Sequence, residues 1–126
     1  MADRKRILIA DDDPDLLDLL QTYLTHQGYD VIAAANGKDA LKLALTETVD
    51  LIMLDVMMPY IDGYHVAYEL TNKLGAKAPR ILIMTSRDTV KEKGIALMSG
   101  AMEVIQKPFE MKNLHERVAA LLAKSA

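Results

Sequence analysis

Side chains that suit metal and phosphate chemistry stand at or just after the ends of short apolar runs in the sequence. Carboxylates follow residues 7–10 and 51–54, hydroxyls follow residues 81–84, and a lysine follows the weaker pair 104–105. These polar residues are Asp11, Asp12, Asp13, Asp55, Thr85, Ser86 and Lys107. If the runs are parallel strands of one sheet, their carboxyl ends meet at one edge, where ligands bind. The sequence therefore predicts that carboxylates, a hydroxyl and an ammonium group converge there.

Such a cluster of acids has a charge conflict that a metal ion resolves. Crowded carboxylates repel and raise one another's pKa unless a cation lies among them. Oxygen ligands suit a hard divalent ion, and Mg²⁺ fits this composition better than zinc. The same ion would bridge a phosphoryl group to the protein, with Lys107 neutralising charge and Thr85 donating a hydrogen bond. Because an aspartate can be a nucleophile, Asp55, at the end of the middle run, is predicted to accept the phosphoryl group.

The elements that must position these residues follow from hydrophobic periodicity. Continuous rather than alternating apolar runs are typical of strands covered on both faces of a parallel sheet. The first helix is predicted to begin with Asp13 as N-cap and Pro14 at its first position, and to end at Gly28. The predicted strands are residues 7–10, 31–35, 51–54, 81–84 and 104–105. The second helix is predicted to begin at Asn36, and the last three helices span residues 64–74, 90–98 and 111–124. Five alternations predict an α/β fold with helices on both faces of the sheet, and periodicity alone leaves the strand order open.

Length and composition exclude several other classes of protein. The 126 residues, 51% hydrophobic and 26% charged, are typical of one globular domain. The absence of cysteine removes disulfides, thiolate metal sites and cysteine nucleophiles. A formal charge of −3 with scattered basic residues argues against nucleic-acid binding. We find neither a signal peptide nor a membrane span, and expect a cytoplasmic single domain, residues 1–126, with no membrane contact and no output domain after the last helix.

Over essentially its whole length the sequence resembles the receiver domains of two-component response regulators. The matching segments are Ile-Leu-Ile-Ala-Asp-Asp-Asp-Pro (7–14), Leu-Ile-Met-Leu-Asp-Val-Met-Met-Pro (51–59) with Asp62-Gly63, Met-Thr-Ser (84–86) and Lys-Pro-Phe (107–109). Four motifs in order, with 30 residues from Asp55 to Thr85 and 22 from Thr85 to Lys107, are far more specific than any one alone. The resemblance implies a doubly wound (βα)5, flavodoxin-like three-layer sandwich whose parallel five-stranded sheet has the order 2-1-3-4-5.

The resemblance also implies a phosphoacceptor and a metal site. Asp55 would take a phosphoryl group from a phosphohistidine on a histidine kinase or a histidine phosphotransfer protein. Mg²⁺, or Mn²⁺ as its substitute, would be bound by the side chains of Asp12 and Asp55, by the backbone carbonyl of Met57 and, through water, by Asp11. The chain would then be a signalling protein rather than an enzyme, catalysing only its own phosphorylation and dephosphorylation.

Two further motifs imply how the phosphoryl group is held. Thr85 and Lys107 would contact its oxygens. A cis peptide bond between Lys107 and Pro108, a rare state even for X-Pro bonds, would aim the lysine inward. Asp62 and Gly63 would form the turn before the third helix, where glycine would tolerate a positive φ.

One position, Val104, departs from the family pattern. Receiver domains usually carry Tyr or Phe three residues before the lysine, and that ring turns inward as the threonine closes on the phosphoryl group. Because valine has no ring to swing, we expect a smaller change, carried by the backbone and nearby methionines between residues 85 and 112. A downstream protein partner is expected on the surface formed by the fourth helix, the fifth strand and the fifth helix.

Other interpretations exist on the same fold. A flavodoxin-like cofactor binder would need a glycine- or hydroxyl-rich loop after the first strand. Residues 11–14 instead offer three carboxylates, which repel phosphate, and a proline, which has no backbone N–H to donate. A second alternative is a receiver-like module that binds its partner without phosphate. This interpretation remains because Val104 departs from the family pattern. The chain could equally be a receiver excised from a longer regulator. Most of the eight methionines, and the tyrosines at 60 and 64, are predicted to be packing residues. Met98, Met102 and Met111 are the exceptions, because they flank the segments whose surface changes in the family.

Overall fold

Strands and helices alternate along the chain. A computed structural model describes residues 4–123. Its strands are β1 (Arg6–Ala10), β2 (Asp30–Ala34), β3 (Leu51–Asp55), β4 (Arg80–Thr85) and β5 (Glu103–Gln106). Its helices are α1 (Pro14–His26), α2 (Gly37–Thr46), α3 (Gly63–Leu74), α4 (Thr89–Ser99) and α5 (Met111–Ala123), with a short 3-10 turn at Gly75–Lys77. The predicted alternation is confirmed within the described range, and the predicted end of the last helix at Lys124 lies outside it.

All strands belong to one parallel sheet in the order β2-β1-β3-β4-β5, which confirms the order that the resemblance implies. Ala10 of β1 pairs with Leu54 of β3, so Asp11 and Asp55 come next on two neighbouring strands. Thr85 ends β4 on the other side of β3. We call this side of the sheet the carboxyl edge, defined by Asp11, Asp55, Thr85 and Lys107.

Two apolar clusters, one on each face of the sheet, form the core. Successive residues of a strand point to opposite faces. Leu8 and Ile52 therefore pack with α2, α3 and α4, whereas Ile7 and Leu51 pack with α1 and α5. Every residue of β3 is buried, which explains its continuous apolar run. Among residues 4–123, no helix has the length and hydrophobicity that crossing a bilayer requires.

A side-chain cap begins helix α1 at the carboxyl edge. Asp13 Oδ1 accepts hydrogen bonds from the backbone N–H groups of Asp15 at 3.0 Å and Leu16 at 3.4 Å, and Pro14 is the first residue of α1. This confirms the predicted N-cap. Such a cap is worth about 1 kcal/mol. The carboxylate of Asp13 therefore serves α1, whereas Asp11 and Asp12 are left for other chemistry.

Gly63 brings the start of α3 close to the end of β3. The expectation of a positive φ at Gly63 is wrong, because the described glycines with positive φ are Gly28, Gly75 and Gly100. What the position requires is space, since a Cβ on Gly63 would lie 2.3 Å from the carbonyl oxygen of Asp55. The missing side chain thus lets α3 pack directly against the candidate phosphoacceptor strand.

Candidate functional site

Three carboxylates meet at the carboxyl edge. Each of Asp11, Asp12 and Asp55 offers a carboxylate oxygen, and these oxygens lie within 4.8 Å of one another. Asp11 is fully buried and Asp55 is 6% exposed, whereas Asp12 is exposed. The cluster therefore has one open side, formed by Asp12, through which an ion or a phosphoryl group can approach.

Lys107 supplies a positive charge to this cluster. Its Nζ donates a hydrogen bond to Asp11 Oδ2 at 2.7 Å and lies 3.3 Å from Asp55 Oδ1. Burial acts to lower the pKa of Lys107, but the hydrogen bond and charge of Asp11, together with Asp55, outweigh it and raise the pKa. The lysine is therefore held in its charged form. The peptide bond between Lys107 and Pro108 is cis.

Asp55 is an unusually basic carboxylate. Burial and the negative charge of Asp11 raise its pKa to about 6, and the charge and hydrogen bond of Lys107 offset only part of that rise. Lys107 therefore does not fully offset the burial of Asp55 and the charge of Asp11. Negative charge in the cluster remains that a further cation would offset. All its ligand atoms are oxygens, which a hard ion such as Mg²⁺ prefers.

Thr85 lies at the end of β4, almost fully buried. Its Oγ1 accepts a hydrogen bond from the backbone N–H of Arg87 at 3.0 Å. This bond uses a lone pair of the oxygen, so the hydroxyl hydrogen remains available for another acceptor. The backbone carbonyl of Thr85 in turn accepts from the backbone N–H of Lys107 at 2.7 Å, which ties the ends of β4 and β5 together.

The remaining predicted site residues are Met57 and Val104. Met57 follows Asp55 by two residues, and its side chain is 60% exposed. Val104 lies on β5 opposite Ile83 of β4 and packs half-buried against the cluster formed with α2, α3 and α4. Val104 therefore lies within the sheet rather than at the carboxyl edge.

One residue that the sequence does not single out is also close to the site. The guanidinium of Arg87 contacts the sulfur of Met57, with Nη2 to Sδ at 3.3 Å, and its Nη1 is 3.6 Å from Glu92 Oε1. The sequence carries no local signal for the contact with Met57, because it forms between loops that are distant in the sequence and are brought together by the fold. Together, the fold and the acidic edge define an α/β domain with a site of the kind that holds a cation.

Comparison with known proteins identifies the family. The model of the response regulator receiver domain matches residues 7–119. The chain therefore belongs to the response regulator receiver domain family, whose members are the signalling domains of two-component systems.

Curated relatives match the chain over nearly all its length. The alkaline phosphatase synthesis transcriptional regulatory protein PhoP of Bacillus subtilis (strain 168) is 42% identical over 121 residues, which cover 96% of this chain and 50% of that protein. The response regulator MprA of Mycolicibacterium vanbaalenii is 39% identical over 120 residues, 95% of this chain and 51% of that protein. The chain thus spans about half the length of the curated relatives it matches.

Solved structures of receiver domains share the fold. The receiver domain of the Francisella response regulator 1452 superimposes with a TM-score of 0.88 and 32% identity, covering 94% of this chain and 97% of that one. The response regulator protein TrrA from Thermotoga maritima, solved in complex with Mg(2+)-BeF, gives a TM-score of 0.82 and 35% identity, covering 93% of this chain and 98% of that one.

Proposed function

We propose that this chain is a phosphorylatable switch in which Asp55 accepts a phosphoryl group from a phosphohistidine on a histidine kinase or a histidine phosphotransfer protein. The observation that carries the proposal is the position of Asp55. Its Oδ1 lies 3.3 Å from the ammonium of Lys107, and its carboxylate is clustered with those of Asp11 and Asp12 at the end of β3. The ammonium group lies near the negative charge that a phosphoryl group would bring, and the neighbouring carboxylates can hold a cation that offsets more of it. An aspartate with these neighbours is suited to act as the nucleophile.

The transfer moves one phosphoryl group between two side chains. An oxygen of the Asp55 carboxylate attacks phosphorus, a P–O bond forms, and the P–N bond to the donor imidazole breaks. The electron pair of that bond stays on the imidazole nitrogen, which takes a proton from solvent. Lys107 then pairs with the phosphoryl oxygens, and the free hydroxyl hydrogen of Thr85 donates to another.

The acidic cluster fits a divalent metal ion as a required partner. Asp12 and Asp55 would bind it through their side chains, Met57 through its backbone carbonyl, and Asp11 through water. The ion is Mg²⁺, with Mn²⁺ as a substitute, and it would neutralise charge on the oxygens of the transferring group. The buried Asp11 and the raised pKa of Asp55 support this assignment, because both favour an added cation.

Output is expected on the surface formed by α4, β5 and α5. Phosphorylation adds close to two negative charges and three acceptor oxygens, which draw Thr85 inward together with the loop that leads into α4. Val104 supplies no ring to that movement. We therefore expect amide NMR shifts between residues 85 and 112 when Mg²⁺ and beryllofluoride are added, and a downstream protein partner on this surface.

Labelling with a small-molecule phosphodonor tests the acceptor. With Mg²⁺ present, the full chain should gain one phosphoryl group by intact mass, and Asp55→Asn should gain none. Asp13→Asn is the matched control, because it removes a neighbouring carboxylate while an asparagine still caps α1. Undiminished labelling of Asp55→Asn would show that the acceptor lies elsewhere, and a wild-type chain that is never labelled would favour a module that signals without phosphate.

A further inference from the structure

Three side chains connect the loop after β3 to helix α3. Arg87, in the connection between β4 and α4, lies with Nη2 3.3 Å from Met57 Sδ and Nη1 3.6 Å from Glu92 Oε1. Glu92, in the first turn of α4, accepts a hydrogen bond of 2.6 Å from the hydroxyl of Tyr64 on α3. The contacts therefore run from a residue two positions after Asp55, through the start of α4, to α3. We call Arg87, Glu92 and Tyr64 the latch.

Glu92 depends on both of its partners in the latch. It is 7% exposed, and a buried carboxylate needs hydrogen bonds and an opposite charge to offset its lost hydration. Tyr64 provides the hydrogen bond. Burial, and then the hydrogen bond to Glu92, raise the pKa of Tyr64 well above its usual value, so the hydroxyl remains a donor. Arg87 provides the positive charge.

Arg87 is the part of the latch that can move. Its side chain is 51% exposed and its Nη1 lies 3.6 Å from Glu92 Oε1, farther than the hydroxyl of Tyr64 at 2.6 Å, so Arg87 is the partner of Glu92 that leaves more easily. Its backbone N–H is bonded to the hydroxyl oxygen of Thr85, which means that any movement of Thr85 carries Arg87 with it. A guanidinium matches the oxygens of a phosphoryl group, which bears more charge than one carboxylate.

We propose that the latch is closed while Asp55 is unmodified and that phosphorylation opens it by drawing the guanidinium of Arg87 from Glu92 to the phosphoryl oxygens. This inference rests on the proposed phosphorylation of Asp55. Once Arg87 leaves, Glu92 is a buried carboxylate without its cation, so it turns towards solvent and releases Tyr64. The first turn of α4 is then free of α3.

Two features of the chain favour this route. Gly94, in the middle of α4, has no atom within 4 Å of the position of a Cβ, so it weakens the helix without any packing reason to be glycine. Val104 lacks the ring that would couple β5 to Thr85. The latch instead couples Thr85 to α3, and it extends the expected NMR response to Tyr64, outside residues 85–112.

Titration of the full chain with beryllofluoride in the presence of Mg²⁺ tests the latch. The side-chain Nε–H resonance of Arg87 and the backbone amides around Tyr64 are followed by NMR. Both should shift in the wild-type chain as the mimic binds. Glu92→Gln keeps the size of the side chain and an acceptor for Tyr64 but removes the charge that holds Arg87, so its half-saturating beryllofluoride concentration should fall about two- to fivefold.

Two further variants separate the latch from general effects of charge and folding. Glu69→Gln removes a carboxylate from α3 that pairs with Lys73 rather than with the latch, and it should bind the mimic as the wild-type chain does. Tyr64→Phe should keep the Arg87 shift and lose the response around residue 64. If the wild-type chain binds the mimic but Arg87 does not shift and Glu92→Gln has wild-type affinity, the latch is wrong and the proposed function stands. If the wild-type chain binds no mimic, both are overturned.

Discussion

Lys107 is bound more closely to Asp11 than to Asp55, with Nζ 2.7 Å from Asp11 Oδ2 and 3.3 Å from Asp55 Oδ1. Asp11 is fully buried, so the lysine is the charge that makes its burial tolerable. In the unmodified chain Lys107 is therefore first a counter-ion for Asp11. It can turn fully to a phosphoryl group only when another cation takes over at Asp11.

Lys107→Met should consequently destabilise the chain and strengthen its binding of Mg²⁺. The variant keeps most of the alkyl stem but leaves Asp11 buried without its charge partner, a loss of about 3 kcal/mol in the free energy of unfolding without metal. The uncompensated carboxylates should bind Mg²⁺ more tightly than in the wild-type chain. Urea denaturation and Mg²⁺ titration check the two effects, with Lys91→Met on the exposed face of α4 as control. An unchanged Mg²⁺ affinity would contradict the role of Lys107 as counter-ion.

Asp55 should make the stability of the metal-free chain depend on pH between about 4 and 6. Its pKa is raised from 3.8 to about 6, so across this interval the folded chain keeps a proton that the unfolded chain has lost. The unfolded state then binds fewer protons, and stability falls as pH rises. Above pH 6 Asp55→Asn should be more stable than the wild-type chain by about 3 kcal/mol, and below pH 4 the difference should vanish.

Urea denaturation across this pH range, without metal, measures that difference. Asp18→Asn, at an exposed position on α1, is the control for the removal of a carboxylate. Added Mg²⁺ should stabilise the wild-type chain more than Asp55→Asn, because the ion binds the ionised carboxylate. A difference between Asp55→Asn and the wild-type chain that stays constant from pH 4 to 8 would mean that Asp55 titrates normally.

Asp12→Ala should weaken Mg²⁺ binding by at least about tenfold. Asp12 is the exposed member of the acidic cluster, so its removal should cost little stability while taking a direct ligand from the ion. Even indirect partners of metal sites change affinity by about ten- to a hundredfold. Titration of both chains with Mg²⁺ at pH 7 measures the change, with Asp15→Ala as the control. Equal affinities would count against the assigned site.

Local sequence patterns were sufficient for the elements but not for their arrangement. The five strands lie within about one residue of the predicted runs. The apolar runs of β1, β3 and β4 are continuous because nearly all their residues are buried, whereas the edge strands β2 and β5 are only partly buried. Asp13 with Pro14 is a strong local start signal for α1. Strand order needed the resemblance, since periodicity holds no information about which strands pair. The acids at the strand ends were visible because parallel strands bring their ends together whatever their order.

Packing between helices was beyond these patterns. Tyr64 and Glu92 are 28 residues apart, and their hydrogen bond exists because α3 and α4 lie side by side. Residue type alone also misjudged exposure. Met53 and Met84 are buried as predicted, whereas Met57 is 60% exposed. Tyr60, predicted to pack, is 81% exposed and has a φ of 73°.

Gly63→Ala and Gly94→Ala should have opposite effects on stability. A Cβ at Gly63 would lie 2.3 Å from the carbonyl oxygen of Asp55 and 3.0 Å from its carbon. Because both atoms belong to the backbone of β3, the helix or the strand end must move, at a cost of about 1–3 kcal/mol. Gly94 is exposed within α4 and has open space at its Cβ position, so alanine there should add about 1 kcal/mol to the free energy of unfolding.

The pair also separates the position of Asp55 from stability in general. Gly63→Ala should weaken Mg²⁺ binding and slow labelling by a phosphodonor even at temperatures where it is fully folded, because the displaced backbone carries the Asp55 carboxylate away from Asp11 and Lys107. Adding Gly94→Ala to Gly63→Ala should restore part of the unfolding free energy, since the two positions are on different helices without a shared contact. It should restore neither Mg²⁺ affinity nor labelling. Recovery of labelling together with stability would instead mean that Gly63 supports the fold alone and does not set the position of the acceptor.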